Sequence, residues 1–591
     1  MENVEQIYNE YKKEWKKQPV FKRQSLMKKK QFIKLVEQET KRDVHVGVKT
    51  YQFQCLCHTS SQGQTPFVSN NLNLREAENE QEQKDLAFVI EEVLKRRIKG
   101  VTDKRGDRMA PLFPKLLYYV CDGLNLKPSD PYYYLTELAA QCMAVSMQPD
   151  ILSEKKNREA KSGQIIPCMG CRSFLAPVWI EKEYPRDTKF YWQEIGNSNV
   201  QYKNAPGKNF DYSKGFGTYS SIPDSIAKEV AINFKGNTGW VKSFNKDTIT
   251  IIEPKVYGRF NGGVVTCNIP HAALTARKNV NEKHNLTVAD YNVEYIDGYK
   301  EEFFKVLDER LEICHKGLLS RWELSVKKIK AKNSPLLWQY GALARMDEND
   351  SIGDWILSHQ PEYTSFSLGF IGLYETCRAI INDTNTSQKG QQFSIDVLEY
   401  MNKTMSKWKE EDKLGYSIYA TPEENLTQVA AMSLKKDFGL VPYVTDHDYV
   451  TNGYHVNPAE KISAWDKLKI EGQYLQLCTG GSVSYIEVPD MKKNTEALET
   501  VIQYIYDNIM YAEINTKIDT CWNCNYQGEL KMVKTDGGNF KFKCPKCGCE
   551  DPDKQLVTRR ICGYLGSVNA GNTNKGRLAD IYDRVLHLDN K

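Results

Sequence analysis

Apolar residues along this chain recur with two different periods, and the switching between them gives the first picture of the fold. Leu86, Val89, Ile90, Val93 and Leu94 fall three and four apart, so they line one face of a helix. The stretch "YYLTELAAQCMAVSM" predicts a helix at about 133–147, and Leu498, Val501, Ile502, Ile505 and Ile509 predict another. A long amphipathic helix is expected over 300–331, with Phe304, Leu307, Leu311 and Cys314 on one face. Between these lie short apolar runs bounded by turn residues. They are "GQTPFVSNN" (63–71), "PCMGCRSFL" (167–175), "NGGVVTCNIP" (261–270), "SFSLGFIGLYE" (365–375), "YSIYATPEENL" (416–426) and "CTGGSVSYIEVPD" (478–490). These runs read as buried strands, and strands alternating with helices predict an α/β architecture.

Two stretches depart from this alternation. Residues 1–45 are charged and helix-prone and read as a helical lead-in. Residues 176–257 are rich in Tyr, Trp, Gly, Asn and Lys with little helical period, and "TGWVKSFNKDTITIIEPKVYG" (238–258) reads as short strands. This region is taken as a β-rich insertion.

Composition narrows the classes. With 591 residues, 40% hydrophobic and 26% charged, the chain can bury a large core, as several domains or one large barrel. A net charge of +4, spread without a basic stripe or an acidic tail, argues against a nucleic-acid partner. No apolar run approaches the roughly 20 residues that span a bilayer. The amino end has no signal-peptide apolar segment, so a cytoplasmic location is expected. Sixteen cysteines without a secretion signal point to reduced thiols, a metal site or redox chemistry.

Four of those cysteines form a pattern. "CWNC" supplies Cys521 and Cys524, "CPKC" supplies Cys544 and Cys547, and 19 residues separate the pairs. That spacing fits a four-cysteine zinc ribbon, with the turn formers in "KTDGGNF" suiting a hairpin between the two knuckles. A closed set of four thiolates argues for a structural ion. Cys549 is a rival ligand at poorer spacing. Unligated cytosolic thiols are the plain alternative.

Directly after the ribbon comes "VTRRICGYLGSVNAG" (557–571). Gly563 alone would be a turn glycine. One chemistry, however, requires glycine: loss of a hydrogen atom from Cα leaves a radical delocalised over both flanking amides. That state is planar, and a side chain would crowd it. Because Cα–H and S–H bonds are close in strength, such a glycine can exchange a hydrogen atom with a nearby thiol.

Here the sequence resembles the anaerobic (class III) ribonucleoside-triphosphate reductases, the phage-type enzymes most. "VTRRICGYLG" resembles their glycyl-radical loop, and "GQTPFV", "MGCRSFL", "GVVTCNIP", "SLGFIGLYE", "TPEENL" and "TGGSVSYIEVPDMK" follow in consistent order over roughly 45–590. The resemblance implies a ten-stranded α/β barrel with a central finger loop, working as a homodimer. It divides the chain into a lead-in (1–45), a barrel (46–515) holding the insertion, a zinc ribbon (516–552), and a radical loop with tail (553–591). It implies radical storage at Gly563, a thiyl radical at Cys171, and Met169 packed by the radical loop. It places Asn261 beside substrate, associated with formate as reductant, although a turn residue explains that asparagine equally. It makes "TPEENL" a phosphate-holding turn with Thr421 and Pro422. Physically, Thr421 capping a helix with Pro422 at its first position explains the same letters. Ribonucleoside triphosphates, nucleotide effectors and a separate activase carrying S-adenosylmethionine and an iron–sulfur cluster are the implied partners. Cys142, Cys267 and Cys314 are expected in the core, and Cys562 as loop packing.

The sequence also departs from that pattern. The family carries an active-site cysteine on its first strand, and Cys55 and Cys57 lie too close to "GQTPFV" to be it. The first strand is therefore expected to be missing, either supplied by a second polypeptide or lost from an inactive fragment. Cys171 and Asn261 are 90 positions apart, so the insertion must loop out for them to meet. Two rivals are another glycyl-radical enzyme, such as a pyruvate formate-lyase relative, and a nucleic-acid-binding ribbon. The acidic "EDPD" after "KFKCPKC" weakens the second.

Overall fold

The computed structural model describes residues 4–17, 28–57, 68–102, 106, 108–111, 113–168, 174–175, 179–185, 188–192, 216–218, 231–234, 236–255, 260–340, 345–359, 364–421, 423, 425–561, 564–568 and 573–588. Eight strands make its central layer. They are β1 (Ser69–Leu72), β2 (Lys115–Val120), β3 (Asp150–Ser153), β4 (Phe260–Asn268), β5 (Thr364–Ile371), β6 (Gly415–Ala420), β7 (Ser484–Glu487) and β8 (Tyr511–Asn515). One sheet runs β1-β2-β3-β8-β7 and a second β4-β5-β6.

The two sheets are joined. Gly481 bridges Tyr419 in parallel, and Gly480 N–H donates to Ile418 C=O at 2.6 Å, so the approach to β7 continues the ladder of β6. Strands β4 to β8 are therefore parallel neighbours. They meet the parallel trio β1–β3 antiparallel at the β3/β8 seam, where Tyr511 pairs with Leu152. Where ten strands with the first missing were expected, the described residues give eight, and no pairing among them joins β1 to β4.

Strands β2, β5 and β6 are buried at every position, as parallel strands flanked by helices are, whereas β1 and β4 are mostly half-buried. In β5, Phe366, Leu368 and Phe370 alternate with Ser365, Ser367 and Gly369, which sends the two sets to opposite faces. The apolar face packs on helices; Trp322 meets Phe366 edge-on at 6.1 Å. Cys142, Cys267 and Cys314 are buried in this core.

Three boundaries differ from the sequence pattern. Helix Lys29–Cys57 runs through the boundary expected at residue 45, because it buries Phe32, Gln52 and Cys55 along a single continuous rod. The helix expected over 300–331 is α-helical over Ile296–Arg321 and widens to π turns over Trp322–Lys327. Its end packs closely on the helix Ile352–His359; a Cβ at Gly353 would lie 2.4 Å from Lys327 Cα. The strand expected at 63–71 is described from Ser69.

Between Trp179 and Pro254, six strands form an antiparallel sheet in the order 179–185, 248–254, 237–244, 231–234, 189–192, 216–218. No described helix is long and apolar enough to cross a membrane.

Candidate active site

The face of β4 to β6 opposite Phe366, Leu368 and Phe370 is mainly polar. It carries Asn261, Thr266, Ser365, Ser367, Gly369 and Ser417, placed together by strand register with Val264 and Tyr419. Asn261 Nδ2 donates to Ser367 Oγ at 3.0 Å, while its Oδ1 accepts from Gly263 N–H at 2.9 Å. Thr421, one residue beyond β6, lies 3.0 Å from Thr266, hydroxyl to hydroxyl. Gly369 makes that approach possible, since a Cβ there would sit 2.0 Å from Thr421 Oγ1. The Ser365 and Ser417 hydroxyls are buried and meet no hydrogen-bonding partner among the described residues. Neutral donors and acceptors with free capacity suit a polar, uncharged part of a ligand.

Thr421 does not cap a helix. The next helix is Leu426–Phe438 with Asn425 at its N-cap, and Thr421 is turned into the layer towards Thr266. Asn261 and Thr421 stand at opposite ends of the strands. Asn261 precedes Thr266 by five residues of β4, about 16 Å at ~3.3 Å per residue.

On β2, β3 and β8 the same face is charged. Lys115 Nζ lies 2.8 Å from Asp150 and 3.0 Å from Glu513. Arg560, entering from the carboxyl-terminal segment, lies 3.0 Å from Asp150 Oδ1 and 3.1 Å from Glu513 Oε1. These two contacts are ion pairs. Arg560 also donates to Asn515 Oδ1 at 3.1 Å and to Met147 C=O. Tyr511 donates to Asp150 Oδ2 at 2.7 Å. All four charged groups are at most 3% exposed. Two cations and two anions balance. Burial pushes the Asp150 carboxyl upward, but Arg560 and Lys115 outweigh it and hold it below the ordinary carboxylate range.

Both loops that the sequence singles out are anchored on this cluster. Phe174, three residues after Cys171, packs edge-on against Tyr511 at 6.2 Å, and its N–H donates to Gly480 C=O at 3.0 Å. Arg560, three residues before Gly563, grips Asp150 and Glu513. Its strand, Thr558–Ile561, pairs antiparallel with Tyr564–Ser567. Asp519 fastens that strand to the preceding segment: its carboxylate accepts from Leu530 N–H (2.8 Å) and Thr558 N–H (3.1 Å) and pairs with Arg559.

Asp519 leads into the four cysteines. Cys521 and Cys547 sulfurs lie 3.7 Å apart, Cys524 and Cys544 sulfurs 3.6 Å, and all four fall within 4.8 Å of one another. A metal–sulfur bond of ~2.3 Å in a tetrahedron needs sulfur–sulfur edges of about 3.8 Å, so this donor set fits such an ion. Cys549 stands outside the set.

Of the residues named from sequence, the structure therefore brings the four cysteines together and sets Asn261 and Thr421 on one face. Gly563, Cys171, Met169, Pro422 and Cys562 lie outside the described residues. The charged cluster was not anticipated. Each strand-like run carries one of its charges: Lys115 in "PKLLYYV", Asp150 in "PDILS" and Glu513 in "YAEIN".

Fold and site together define a mixed α/β protein with a buried charged cluster met by Phe174 and by the strand Thr558–Ile561, which Asp519 ties to a four-cysteine set. A family profile, anaerobic ribonucleoside-triphosphate reductase, matches residues 20–587, and the chain belongs to that family. The anaerobic ribonucleoside-triphosphate reductase of Escherichia coli (strain K12) is 31% identical over 536 residues, covering 90% of this chain and 60% of the relative. The enzyme of that name from Enterobacteria phage T4 is 30% identical over 558 residues, covering 94% and 74%. The chain thus spans about 60% of the length of the bacterial relative. A solved anaerobic ribonucleotide reductase from Thermotoga maritima, in complex with dATP and CTP, aligns with TM-score 0.46 and 16% identity, covering 91% of this chain and 68% of that one.

Proposed function

We propose that this chain is the radical-bearing catalytic part of an anaerobic ribonucleoside-triphosphate reductase. A separate radical-SAM activase, with its S-adenosylmethionine and iron–sulfur cluster, removes a hydrogen atom from Gly563. The radical passes to Cys171, whose thiyl sulfur takes the 3′-hydrogen of a bound ribonucleotide. The 2′-hydroxyl takes up a proton and leaves as water, formate supplies two electrons and a proton to C2′ and departs as carbon dioxide, and the 3′-hydrogen is returned. Asn261 lies beside the ribose and formate. Thr421 and Pro422 face the phosphates, Met169 packs by the radical loop, and Cys521, Cys524, Cys544 and Cys547 hold a structural zinc.

Family membership gives this reading its chemistry. The observation that carries it is the meeting of the segments flanking Cys171 and Gly563 on one buried cluster, through Phe174, Tyr511, Asp150 and Arg560. Hydrogen-atom transfer works only between atoms in near contact, and the attachment of both flanking segments to one buried cluster supports the reading that their loops meet. A span of about 16 Å along β4 from Asn261 to Thr266, which Thr421 touches, suits an extended ligand such as a nucleoside triphosphate. In this reading residues 516–552 brace the radical loop, the protein works in the cytoplasm as a homodimer under nucleotide effectors, and a complementing polypeptide supplies the upstream cysteine.

Anaerobic incubation with the activase, formate and a ribonucleoside triphosphate, with and without that polypeptide, tests the proposal. Deoxynucleotide formation dependent on Cys171 supports it; none in either arm, with the activase proven on another substrate, removes it.

A further inference from the structure

The described part of the segment that leads to Cys171, residues 161–168, belongs to no sheet. Its backbone nevertheless has its hydrogen bonds. Ile165 N–H donates to Asn237 Oδ1 at 2.6 Å, and Asn237 Nδ2 donates back to Ile165 C=O at 3.0 Å. Ile166 repeats the arrangement with Asn157, at 3.1 Å and 3.2 Å. Cys168 N–H then reaches the Tyr119 hydroxyl at 3.4 Å. Two asparagine side chains, each at most 1% exposed, thus replace the neighbouring strand that this segment lacks. A buried backbone pair left unmet would be costly, so each amide fixes the segment's place.

Asn157 belongs to helix Glu154–Ala160, part of the main body. Asn237 does not: it opens strand Asn237–Phe244 of the six-stranded inserted sheet. That sheet is seated here. Arg158 Nη2 donates to Gly236 C=O at 2.7 Å, and Arg158 is itself held by Glu154 at 2.9 Å. Gly236 has φ +81°, and a Cβ on it would lie 2.6 Å from Arg75 Cγ, so only glycine lets the turn sit this low. Arg75 is in turn paired with Glu154 at 3.0 Å. The turn is therefore locked to the body at the place where Asn237 reaches Ile165.

We infer that Asn237 is a positioning residue: the inserted sheet holds the segment leading to Cys171 at Ile165 while Asn157 of the main body holds it at Ile166. The inference rests on the proposed radical function for its consequence, though not for its geometry. The sheet then does more than lengthen the loop between Cys171 and Asn261. It sets how far Cys171 stands from its hydrogen-atom partners.

The test compares the full-length wild type with Asn237→Ala by hydrogen–deuterium exchange, and by turnover per glycyl-radical spin after activation. Exchange in 161–168 should rise at least about tenfold in Asn237→Ala, with the ribbon unchanged. Turnover per spin should fall about tenfold or more with KM within about twofold, and zinc content and radical yield should be kept. A role confined to stability would leave turnover per spin as in wild type. Unchanged exchange, or unchanged turnover per spin, overturns the inference. If Asn237→Ala does not fold, Asn237→Asp keeps the acceptor for Ile165 N–H, loses the donor to its C=O, and is held to the same two readouts. A wild type without radical removes the proposed function, while exchange still decides whether Asn237 clamps the segment.

Discussion

Asp150→Asn is the sharpest perturbation of the buried cluster, because it changes charge with almost no change in volume. In the native protein Lys115 and Arg560 balance Asp150 and Glu513, all within 3% exposure. The variant leaves one positive charge uncompensated in that space. Removing one partner of a buried ion pair costs about 3–5 kcal/mol, a large part of a typical 5–15 kcal/mol stability. Lys115→Met should cost a similar amount with the opposite imbalance. Together the two changes restore neutrality, leaving Arg560 and Glu513 paired at 3.1 Å. The double variant should therefore fall short of the summed costs by at least about 2 kcal/mol. Anaerobic urea unfolding followed by tryptophan fluorescence measures this, and trypsin cleavage within 557–567 reports release of the Arg560 strand. Costs that add to within about 0.5 kcal/mol would refute a coupled charge unit.

Three further outcomes follow from particular contacts. Cys544→Ser should reduce bound zinc from about one ion per chain to none by elemental analysis, and should speed proteolysis of 557–567 because Asp519 ties that strand to the ribbon. Gly369→Ala puts a methyl group 2.0 Å from Thr421 Oγ1, so KM for nucleotide should rise at least about tenfold while radical yield holds. The third concerns pH. Burial pushes His587 from 6.5 down to about 4, so its stabilising share is present above pH 6.5 and is lost as pH falls to 4, about 3 kcal/mol in all. Burial pushes Glu375 from 4.5 up to about 7, so its share is present below pH 4.5 and is lost as pH rises through 7, by a similar amount. The two nearly cancel between pH 7 and 4.5. Glu375→Gln should make stability fall steeply on acidification over that window, and His587→Gln should make it rise, both read by unfolding at stepped pH.

How much of this was legible depended on the range of the interactions. Apolar period found the helices around Leu86–Leu94 and Leu498–Ile509 because each needs only its own spacing to bury a face. Cysteine spacing found the ribbon because a tetrahedral ion fixes local geometry. The cluster of Lys115, Asp150, Glu513 and Arg560 escaped because its members are up to 445 positions apart, and a charge in an apolar run is uninformative until its partner is known. Thr421 misled for a related reason. "TPEEN" has the letters of a helix start, but Thr266, 155 positions away, holds the hydroxyl and the helix begins at Leu426. Asn237 carried no signal at all, since an asparagine beside a turn glycine is ordinary turn chemistry.

Electron paramagnetic resonance of the anaerobically activated chain tests the central claim most directly. The account predicts an organic-radical doublet in the wild type, its loss in Gly563→Ala, and its persistence in Cys171→Ser with deoxynucleotide formation abolished. A doublet that survives Gly563→Ala, or product formed by Cys171→Ser, would contradict it.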